Sequence, residues 1–251
     1  MISEAIVNTV KKARRIVVFS GAGMSAESGV PTFRDDLTGL WTQYDPSALA
    51  TPQAFAADPA LVWGWYEWRR ARILGVEPNA GHKAIAQWQT HYPVTIVTQN
   101  VDDLHERAGS YSVIHIHGSI FAPRCTKCKH PYEFSSTYAE EPESGRRIEP
   151  PECELCKNPV RPGVVWFGES LYEPDLRSAI YAAENCDLLI AVGTSGVVQP
   201  AALLPRWAKD KGAQVVQINP NSTPIDEVSD YNIRATAAVA LPQLVAALGL
   251  E

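Results

Sequence analysis

The sequence predicts an α/β fold in which a doubly wound parallel sheet carries helices on both faces. Short runs of β-branched residues recur along the chain at 16–19, 93–99, 113–117, 188–192 and 214–218. Segments with helical periodicity, 174–185 and 201–211, precede the last two runs. Strands that alternate with helices of about ten to fifteen residues indicate βαβ units, and such units build a parallel sheet.

The first elements lead directly to a glycine-rich loop. Residues 2–13 have the apolar spacing of an amphipathic helix, and the run 16–19 follows as the first strand. Gly21 and Gly23 come immediately after that strand, as in Rossmann-like nucleotide-binding folds. Glycine at these positions allows positive φ and lets the backbone approach a phosphate, and we expect a helix to follow whose N-terminus favours the anion.

Two stretches interrupt the alternation of strands and helices. Residues 35–80 lack a strand pattern and include a tryptophan-rich helical stretch at 59–75, so we expect a helical segment of a small domain. Residues 122–162 are rich in Pro, Glu and Cys and predict a small inserted zinc-binding module. The Rossmann-like domain then comprises the remaining segments, which are 1–34, 81–121 and 163–251.

Composition narrows the class of protein. The chain has 251 residues, 45% of them hydrophobic, and a formal net charge of −6 without a long basic block. Nucleic acid is therefore disfavoured as a partner, because phosphate binding needs clustered Lys and Arg. The N-terminus has no signal-peptide pattern, and no apolar run has the length of a membrane span. We expect a cytoplasmic monomer without a membrane partner.

Four of the five cysteines form two C-x-x-C pairs, Cys125/Cys128 and Cys153/Cys156. In a reducing compartment this spacing indicates a metal rather than disulfides. Four thiolates complete a tetrahedral zinc site and leave no position for water, so the predicted Zn²⁺ is structural. Redox dithiols or free thiols are the alternative, which is disfavoured because so short a module has little core of its own. Cys186 is expected in the core.

Polar residues cluster after two predicted strands, at 98–105 and 115–119. In an open α/β sheet the ligand lies beyond the carboxyl ends of the strands. Asn100, Asp102 and His117 would bring an amide, a carboxylate and an imidazole to a dinucleotide pocket, which suggests acid–base chemistry on a ribose hydroxyl. As alternatives, Asp102 caps the following helix and His117 is a turn residue.

Six motifs in order resemble those of the sirtuins, the NAD-dependent protein lysine deacylases, and together they cover nearly the whole chain. They are G-A-G-M-S-A-E-S-G-V-P-T-F-R at 21–34, T-Q-N-V-D-x-L-H at 98–105, I-H-G-S at 116–119, R-P-G-V-V-W-F-G-E at 161–169, G-T-S at 193–195 and I-N-P-N at 218–221. One departure is Gly163, where many relatives carry a larger residue such as histidine.

The resemblance implies a set of NAD⁺-binding residues. They are Gly21, Ala22, Gly23, Phe33, Arg34, Gln99, Asn100, Asp102, Gly193, Thr194, Ser195, Asn219, Asn221 and Ala237. Phe33 and Arg34 would cover the diphosphate and the nicotinamide ribose, and Asp102 would bind the carboxamide. The residues from Gly193 onward would hold the adenosine half.

The resemblance also implies a reaction, with His117 and Asn100 as its catalytic residues. The acyl oxygen of a modified lysine would attack C1′ of the ribose and expel nicotinamide. His117 would then act as a general base for a ribose hydroxyl, and the products would be free lysine and an O-acyl-ADP-ribose. Acyl-lysine peptides would pair as an added strand with a segment formed by Val164, Val165, Trp166 and Phe167.

Tyr66 and Arg69 are three residues apart on a predicted helix and therefore share one face. A guanidinium and a phenol suit a carboxylate; alternatively, Arg69 and its neighbours coat a solvated face while Tyr66 packs in the core. The Y-x-x-R pattern resembles class III sirtuins, and Ala50 matches their small pocket residue. The resemblance implies removal of succinyl or malonyl groups, with acetyl also accepted.

Other functions remain as alternatives. A sirtuin-like protein ADP-ribosyltransferase would use the same NAD⁺ site with another nucleophile. A non-catalytic NAD-sensing zinc module would not need Asn100, Asp102 and His117 together. An ordinary dehydrogenase is disfavoured, because the third glycine of the dinucleotide fingerprint is misplaced.

Overall fold

The computed structural model describes residues 2–30, 39–134, 142 and 144–250. The α-helices of these residues are α1 Glu4–Lys12, α2 Pro46–Leu49, α3 Pro52–Ala57, α4 Pro59–Leu74, α5 Ala80–Gln89, α6 Leu104–Arg107, α7 Glu173–Asn185, α8 Leu204–Asp210 and α9 Ala237–Leu248. The strands are β1 Ile16–Ser20, β2 Val94–Thr98, β3 Val113–His115, β4 Arg124–Cys125, β5 Val160–Arg161, β6 Leu188–Val192, β7 Gln214–Ile218 and β8 Tyr231–Ile233. Short 3-10 helices are Ala22–Met24, Ala26–Ser28, Gly39–Gln43, Ala201–Leu203 and Pro224–Glu227.

The chain folds into two compact units, each built from segments that are distant in sequence. The first unit comprises Met1–Gly29, Glu77–Ile116 and Tyr172–Glu251. The second comprises Val30–Val76 and His117–Leu171. The second unit therefore contains most of the helical stretch between the first two strands and all of the cysteine-rich segment.

The first unit contains a six-stranded parallel sheet with the order β3-β2-β1-β6-β7-β8. Ile16 on β1 lies opposite Val94 on β2 and Leu188 on β6. The direction of strand progression thus reverses beside β1, as in Rossmann folds, whose ligands bind at this switch point. The predicted doubly wound parallel sheet is confirmed.

The strands of this sheet are aliphatic because both faces are covered. All five residues of β1 and all five of β6 are buried, as expected for a parallel sheet between two layers of helices. On one face, Ile16 and Val18 join an apolar cluster with Ile85 and Trp88 of α5 and Leu244 of α9. This core fixes the carboxyl ends of the strands.

The second unit is organised around α4. Asp58 caps this helix by accepting a hydrogen bond from Leu61 N–H at 3.0 Å, and Pro59 occupies its first turn. Most of the helix is buried, including Trp63, Trp65 and Trp68. The helix confirms the prediction for 59–75. A two-stranded antiparallel sheet of β4 and β5 accompanies it.

Local structure departs from the sequence pattern in several places. The strand predicted at 113–117 ends at His115. A turn follows in which Gly118 has a φ of +75°, and a strand cannot continue through that conformation. The helix predicted at 201–211 begins as a 3-10 helix and becomes α-helical at Leu204. No helix within the described ranges is long and apolar enough to cross a membrane.

Candidate active site

The loop after β1 is shaped by close backbone contact. A Cβ atom at Gly21 would lie 2.8 Å from Cα of Thr194, and one at Gly23 would lie 2.8 Å from Cα of Gly193. Gly21 is extended, with a φ of −128°, and positive φ occurs instead at Gly29 and Gly193. Gly21 and Gly23 therefore do not use the positive φ that glycine allows, and these glycines are needed because two loops cross at the sheet edge.

The expected helix after this loop is also replaced. Two single 3-10 turns, Ala22–Met24 and Ala26–Ser28, follow Gly21. A single turn aligns few peptide dipoles, so the predicted helix dipole is small here. Loop geometry, rather than a long helix, positions the backbone amides.

Ser25 connects two of the predicted site residues of the first unit. Its hydroxyl donates to Asp102 Oδ2 at 2.9 Å and accepts from Asn100 Nδ2 at 3.0 Å. All three residues are at most 7% exposed. Burial raises the pKa of Asp102, although hydrogen bonds from Ser25 and from Leu104 N–H act in the opposite direction. Leu104 N–H donates to Asp102 Oδ1 at 3.1 Å, so Asp102 both joins this cluster and holds the start of α6.

Two buried histidines stand behind this cluster. His82 Nε2 lies 3.5 Å from Ser25 Oγ, and His105 Nε2 lies 3.0 Å from Ser20 Oγ. The two rings meet edge to face with centroids 5.0 Å apart. Burial lowers the pKa of His82 to about 4 and that of His105 well below its ordinary value. Both imidazoles are therefore neutral at pH 7.

Ser20 and Thr98 extend the buried network to the backbone of Asn100. Ser20 Oγ donates to Thr98 Oγ1 at 2.9 Å, and Asn100 N–H donates to the same Thr98 oxygen at 3.0 Å. Since Ser20 uses its hydrogen on Thr98, His105 Nε2–H is the donor to Ser20. The ends of β1 and β2 are thus joined by side chains as well as by the sheet.

Thr194 is the centre of a second polar group, beyond the ends of β2, β6 and β7. Gln99 Nε2 donates to Thr194 Oγ1 at 2.7 Å, and Asn219 Nδ2 donates to the Thr194 carbonyl at 2.9 Å. Asn221 N–H donates to Asn219 Oδ1 at 3.0 Å. Ser195 follows Thr194 in the same loop. The structure therefore brings together the predicted residues of three neighbouring strand ends.

Ala237 is the first residue of α9 and is 3% exposed. Its carbonyl oxygen would lie 2.9 Å from a Cβ at Gly81, so α5 and α9 pack closely here. Glu27 Oε2 accepts from Ala238 N–H at 3.0 Å and thereby caps α9. Among the residues that the structure describes, the buried Thr236 hydroxyl has no hydrogen-bond partner.

His115 supports Asn100 from the end of β3. Its Nδ1 lies 3.1 Å from the Asn100 carbonyl oxygen, and its Nε2 lies 2.7 Å from Glu106 Oε1. Burial acts to lower the pKa of His115, but the hydrogen bond and charge of Glu106 raise it above its ordinary value. His115 is thus a structural neighbour of the Asn100 loop.

In the second unit, the four cysteines converge. Their Sγ atoms all lie within 4.8 Å of one another. Cys125 and Cys156 are 3.4 Å apart, and Cys128 and Cys153 are 3.6 Å apart. Tetrahedral Zn–S bonds of about 2.3 Å would separate the sulfurs by about 3.8 Å. The hydrogen bond from Asn158 N–H lowers the pKa of Cys156 to about 6. The donor set fits a structural zinc ion, as predicted.

His117 opens the second unit and contacts the predicted substrate segment through its backbone. The His117 carbonyl accepts from Val165 N–H at 2.8 Å, and Gly118 forms an isolated antiparallel bridge with Val164. Phe167 N–H donates to the Ala50 carbonyl at 2.9 Å, and Trp166 N–H donates to Glu169 Oε2 at 2.9 Å. Three consecutive N–H groups of this segment are therefore already bonded within the unit.

Tyr66 and Arg69 are buried, with 4% and 7% exposure. Burial raises the pKa of Tyr66 well above its ordinary value, while the positive charge of Arg69 acts to lower it. The guanidinium carbon of Arg69 lies 5.1 Å from the Trp65 ring centroid. Arg70 is also buried, over the Phe134 ring at 3.4 Å. The alternative of a solvated arginine face is therefore wrong for Arg69 and Arg70.

Neighbouring backbone atoms explain why position 163 is a glycine. A Cβ at this position would lie 1.9 Å from the Ala122 carbonyl oxygen and 2.8 Å from the Ser119 carbonyl oxygen. A larger residue would force the backbone of 119–122 to move. This chain therefore needs glycine at this position.

Sequence reasoning gave no role to several residues of these clusters. These residues are Ser25, His82 and Glu27, each of which makes one or more of the contacts described above. The only sequence signal for Ser25 and Glu27 is that they lie within the motif at 21–34. Phe33 and Arg34, predicted to bind the cofactor, lie outside the described residues. Their roles stay predictions.

A Rossmann-type sheet, polar residues at its switch point and a four-cysteine cluster define an α/β nucleotide-binding protein with a zinc module. Residues 21–200 match the model of the protein family described as the Sir2 family. The chain belongs to this family.

Relatives and solved structures agree with this assignment. The chain is 57% identical to "NAD-dependent protein deacylase 1" of Pseudomonas aeruginosa over 96% of its own length and 97% of the relative's. It is 54% identical to "NAD-dependent protein deacylase" of Methylococcus capsulatus, with 98% and 97% covered. The crystal structure of a Sir2 homolog–NAD complex matches with a TM-score of 0.90 and 44% identity, covering 99% of this chain and 94% of that one. A Sir2–p53 peptide–NAD⁺ structure matches with a TM-score of 0.85 and 27% identity, with both chains fully covered.

Proposed function

We propose that this protein is an NAD-dependent protein lysine deacylase. The observation that carries the proposal is the buried Ser25–Asn100–Asp102 cluster at the carboxyl edge of the parallel sheet, in a chain of the Sir2 family. NAD⁺ supplies an activated glycosidic bond, so that nicotinamide leaves, the acyl group passes to ADP-ribose and free lysine is released. Relatives that are 57% and 54% identical are named as NAD-dependent protein deacylases.

The residues of the first unit fit a dinucleotide. The missing side chains of Gly21, Gly23 and Gly193 let the loops after β1 and β6 pack closely against each other at the switch point of the sheet, where dinucleotides bind in this topology. Gln99, Thr194 and Asn219 supply polar groups for a ribose, and the buried Thr236 hydroxyl offers a donor beside Ala237. Ser195, Asn221 and Ala22 belong to the same loops. Each group is an uncharged donor or acceptor suited to a nucleoside.

Asp102 and Asn100 would contact the nicotinamide end. Asp102 accepts from Ser25 through one oxygen and is held in place by Leu104 N–H through the other. Asn100 is fixed from three sides, through its side chain, its N–H and its carbonyl. His117 would accept a proton from a ribose hydroxyl, the role of a general base. Phe33 and Arg34 would cover the diphosphate.

Succinyl and malonyl groups are the favoured substrates, with acetyl also accepted. Support comes from the buried Arg69 guanidinium and the Tyr66 phenol, which together provide charge and a hydrogen-bond donor for a carboxylate. A charge-assisted hydrogen bond contributes roughly 1.5–3 kcal/mol, which corresponds to about a ten- to hundred-fold preference. Ala50, one residue after α2, is small enough to leave room for the acyl chain.

The peptide backbone would pair with the segment Val164–Phe167. Because the N–H groups of Val165, Trp166 and Phe167 donate within the unit, an added strand would use carbonyl groups of the segment and the N–H of Gly168. Main-chain pairing of this kind selects an extended peptide largely irrespective of its sequence. The physiological form is proposed to be a cytoplasmic monomer.

Mass spectrometry of the reaction products tests the function. Purified protein is incubated with NAD⁺ and with one peptide carrying either succinyl-lysine or acetyl-lysine. We expect nicotinamide, free lysine and O-acyl-ADP-ribose, with the succinyl peptide preferred. ADP-ribosylated protein in place of deacylated peptide would indicate the transferase instead. Absence of nicotinamide release from folded, zinc-loaded protein with either peptide would refute the proposal.

A further inference from the structure

Trp166 belongs to the proposed peptide segment and contacts a residue of the proposed acyl pocket. It is 3% exposed, and its indole Nε1–H donates to the Tyr66 hydroxyl oxygen at 3.0 Å. Its ring also packs on Phe55, with centroids 5.3 Å apart. The indole N–H can only donate. The Tyr66 oxygen is therefore the acceptor in this contact, and its own hydrogen must point elsewhere.

The direction of that hydrogen matters for a carboxylate. A phenol that donates to a backbone carbonyl or to another side chain has no hydrogen left for a ligand. Tyr66 stays protonated at physiological pH, because burial raises its pKa. The indole N–H bonds to the Tyr66 oxygen, so the hydroxyl hydrogen remains available to donate to a ligand. Tyr66 lies on the helix face that also carries Arg69.

Trp166 is itself held by an ion pair between the buried Arg161 and the half-buried Glu169. Arg161 Nη1 donates to Glu169 Oε1 at 2.5 Å, and Nη2 donates to Oε2 at 2.8 Å. The guanidinium carbon lies 3.5 Å from the centroid of the Trp166 ring. Glu169 Oε2 also accepts from Trp166 N–H at 2.9 Å. The indole is thus fixed both through its ring face and through its backbone.

The same pair fixes the start of the segment. Arg161 Nη2 donates to the Val164 carbonyl at 3.0 Å, and Arg161 Nε lies 3.3 Å from the Pro162 carbonyl. Although burial acts to raise the pKa of Glu169, hydrogen bonds from Arg161 and Trp166 N–H hold it below its ordinary value. Planar bidentate geometry of this type restricts orientation more than a point charge would.

We propose that Trp166, clamped by the Arg161–Glu169 pair, is a specificity-determining positioning residue that makes the Tyr66 hydroxyl a hydrogen-bond donor to the carboxylate of an acidic acyl group. This inference rests on the proposed function. It adds a link between the segment that would bind the peptide backbone and the side chains that would bind the acyl end.

The test is a double-mutant cycle of Trp166→Phe and Tyr66→Phe. The quantity measured is the ratio of kcat/KM for succinyl-lysine to that for acetyl-lysine in one peptide. Trp166→Phe keeps an aromatic ring and removes the donor, and we expect the ratio to fall about 3- to 10-fold, as for loss of one neutral hydrogen bond. In the Tyr66→Phe background, Trp166→Phe should change the ratio less than 2-fold.

Trp88→Phe is the matched control. It shortens another buried tryptophan, in the apolar core of the first unit, and should leave the ratio unchanged. If Trp166→Phe does not fold, as judged by thermal unfolding, Glu169→Gln is the second variant. It removes the charge opposite Arg161 at nearly constant size, and we expect the ratio to fall about 3-fold.

Each outcome decides the inference. A lowered ratio that depends on Tyr66 supports it. A wild-type preference for succinyl-lysine that Trp166→Phe leaves intact, or lowers equally without the Tyr66 hydroxyl, overturns the positioning role while the proposed function stands. A wild-type enzyme that releases nicotinamide with acetyl-lysine but lacks any succinyl preference overturns both this inference and the proposed acyl class.

Discussion

Ser25 and Asp102 are joined by a 2.9 Å hydrogen bond although the residues are 77 positions apart in the chain. The bond connects the loop after β1 to the loop after β2, and both side chains are almost fully buried. Asp102 therefore depends on a neighbouring loop for the geometry of its carboxylate.

Ser25→Ala should lower kcat/KM for NAD⁺ about 10- to 100-fold, since a hydrogen bond to a charged group contributes roughly 1.5–3 kcal/mol. Steady-state kinetics at varied NAD⁺ measures this. Ser28→Ala, in the same loop, is the matched control, because the Ser28 hydroxyl bonds to Asn79 and not to the cluster. An equal loss in both variants would contradict the role of Ser25.

His117→Ala should abolish measurable turnover while NAD⁺ binding persists. A positioned general base contributes on the order of 10²–10⁴ in rate, whereas the polar groups proposed to bind NAD⁺ belong to other residues. Product formation and calorimetric NAD⁺ titration are measured on the same preparation. His91→Ala, at an exposed histidine, should retain both properties. Parallel loss of binding and turnover in His117→Ala would assign His117 to binding instead.

Arg69→Met should lower desuccinylation about 10- to 100-fold while sparing deacetylation. Methionine retains an apolar stem but removes the buried charge that would pair with the acyl carboxylate. The two rates are compared with peptides that differ only in the acyl group. Arg72→Met is the control for loss of an arginine, because Arg72 lies three residues after Arg69 on the same helix. If Arg69→Met reduced both activities alike, the carboxylate pocket would be wrong.

Zinc removal should unfold the second unit. The Sγ atoms of the four cysteines lie within 4.8 Å of one another. Without a cation, thiolates this close would repel one another or bind protons. Metal analysis should give one zinc per chain, and a strong chelator should lower the melting temperature. Cys128→Ser should lower the zinc content, whereas Cys186→Ser should not, because that thiol is buried beside the Ala183 carbonyl in the first unit. Full zinc content in Cys128→Ser would argue against the four-cysteine site.

Stability should fall on acidification because of His82. Its pKa in the folded protein is about 4, below the ordinary value of 6.5, so the unfolded chain binds a proton that the folded chain excludes. His82 therefore costs stability progressively as the pH falls from about 6.5 to about 4, by roughly 1.4 kcal/mol per pH unit at most.

Urea unfolding of wild type and His82→Gln between pH 4 and pH 8 measures this dependence. The variant should lose less stability than wild type across that window, because glutamine does not titrate. His91→Gln, at an exposed histidine, is the matched control substitution. Parallel curves for wild type and His82→Gln would show that His82 titrates normally.

The sequence predicted the sheet because both faces of its central strands are buried. Continuous aliphatic runs such as Leu188–Val192 are typical of such strands. β8 is a three-residue edge strand, Tyr231–Ile233, and carries no such run. α9 was not predicted because it is apolar around most of its circumference, with Pro242 inside it, so its periodicity is weak.

The site was predictable where residues follow strands and unpredictable where partners are distant. Asn100 and Asp102 were identifiable as candidates because they follow a strand, whereas Gln99 was a candidate only through the resemblance. The contact of Ser25 with Asp102 could not be read from either local sequence, since a serine has no pattern that names its partner. The close contacts at Gly21 and Gly23 could not be predicted for the same reason, because the backbone that excludes their Cβ atoms belongs to residues 193 and 194.

The strand order also governs how the protein can be made. β1 lies between β2 and β6, and β6 is synthesised about 170 residues after it. Ile16 can therefore pair with Leu188 only after that later segment has left the ribosome. At synthesis rates of about 5–20 residues per second, the nascent β1 remains with an open edge for on the order of ten seconds or more. Its four apolar residues are then a natural binding site for a chaperone, and co-translational folding of the sheet must be completed from its middle outward.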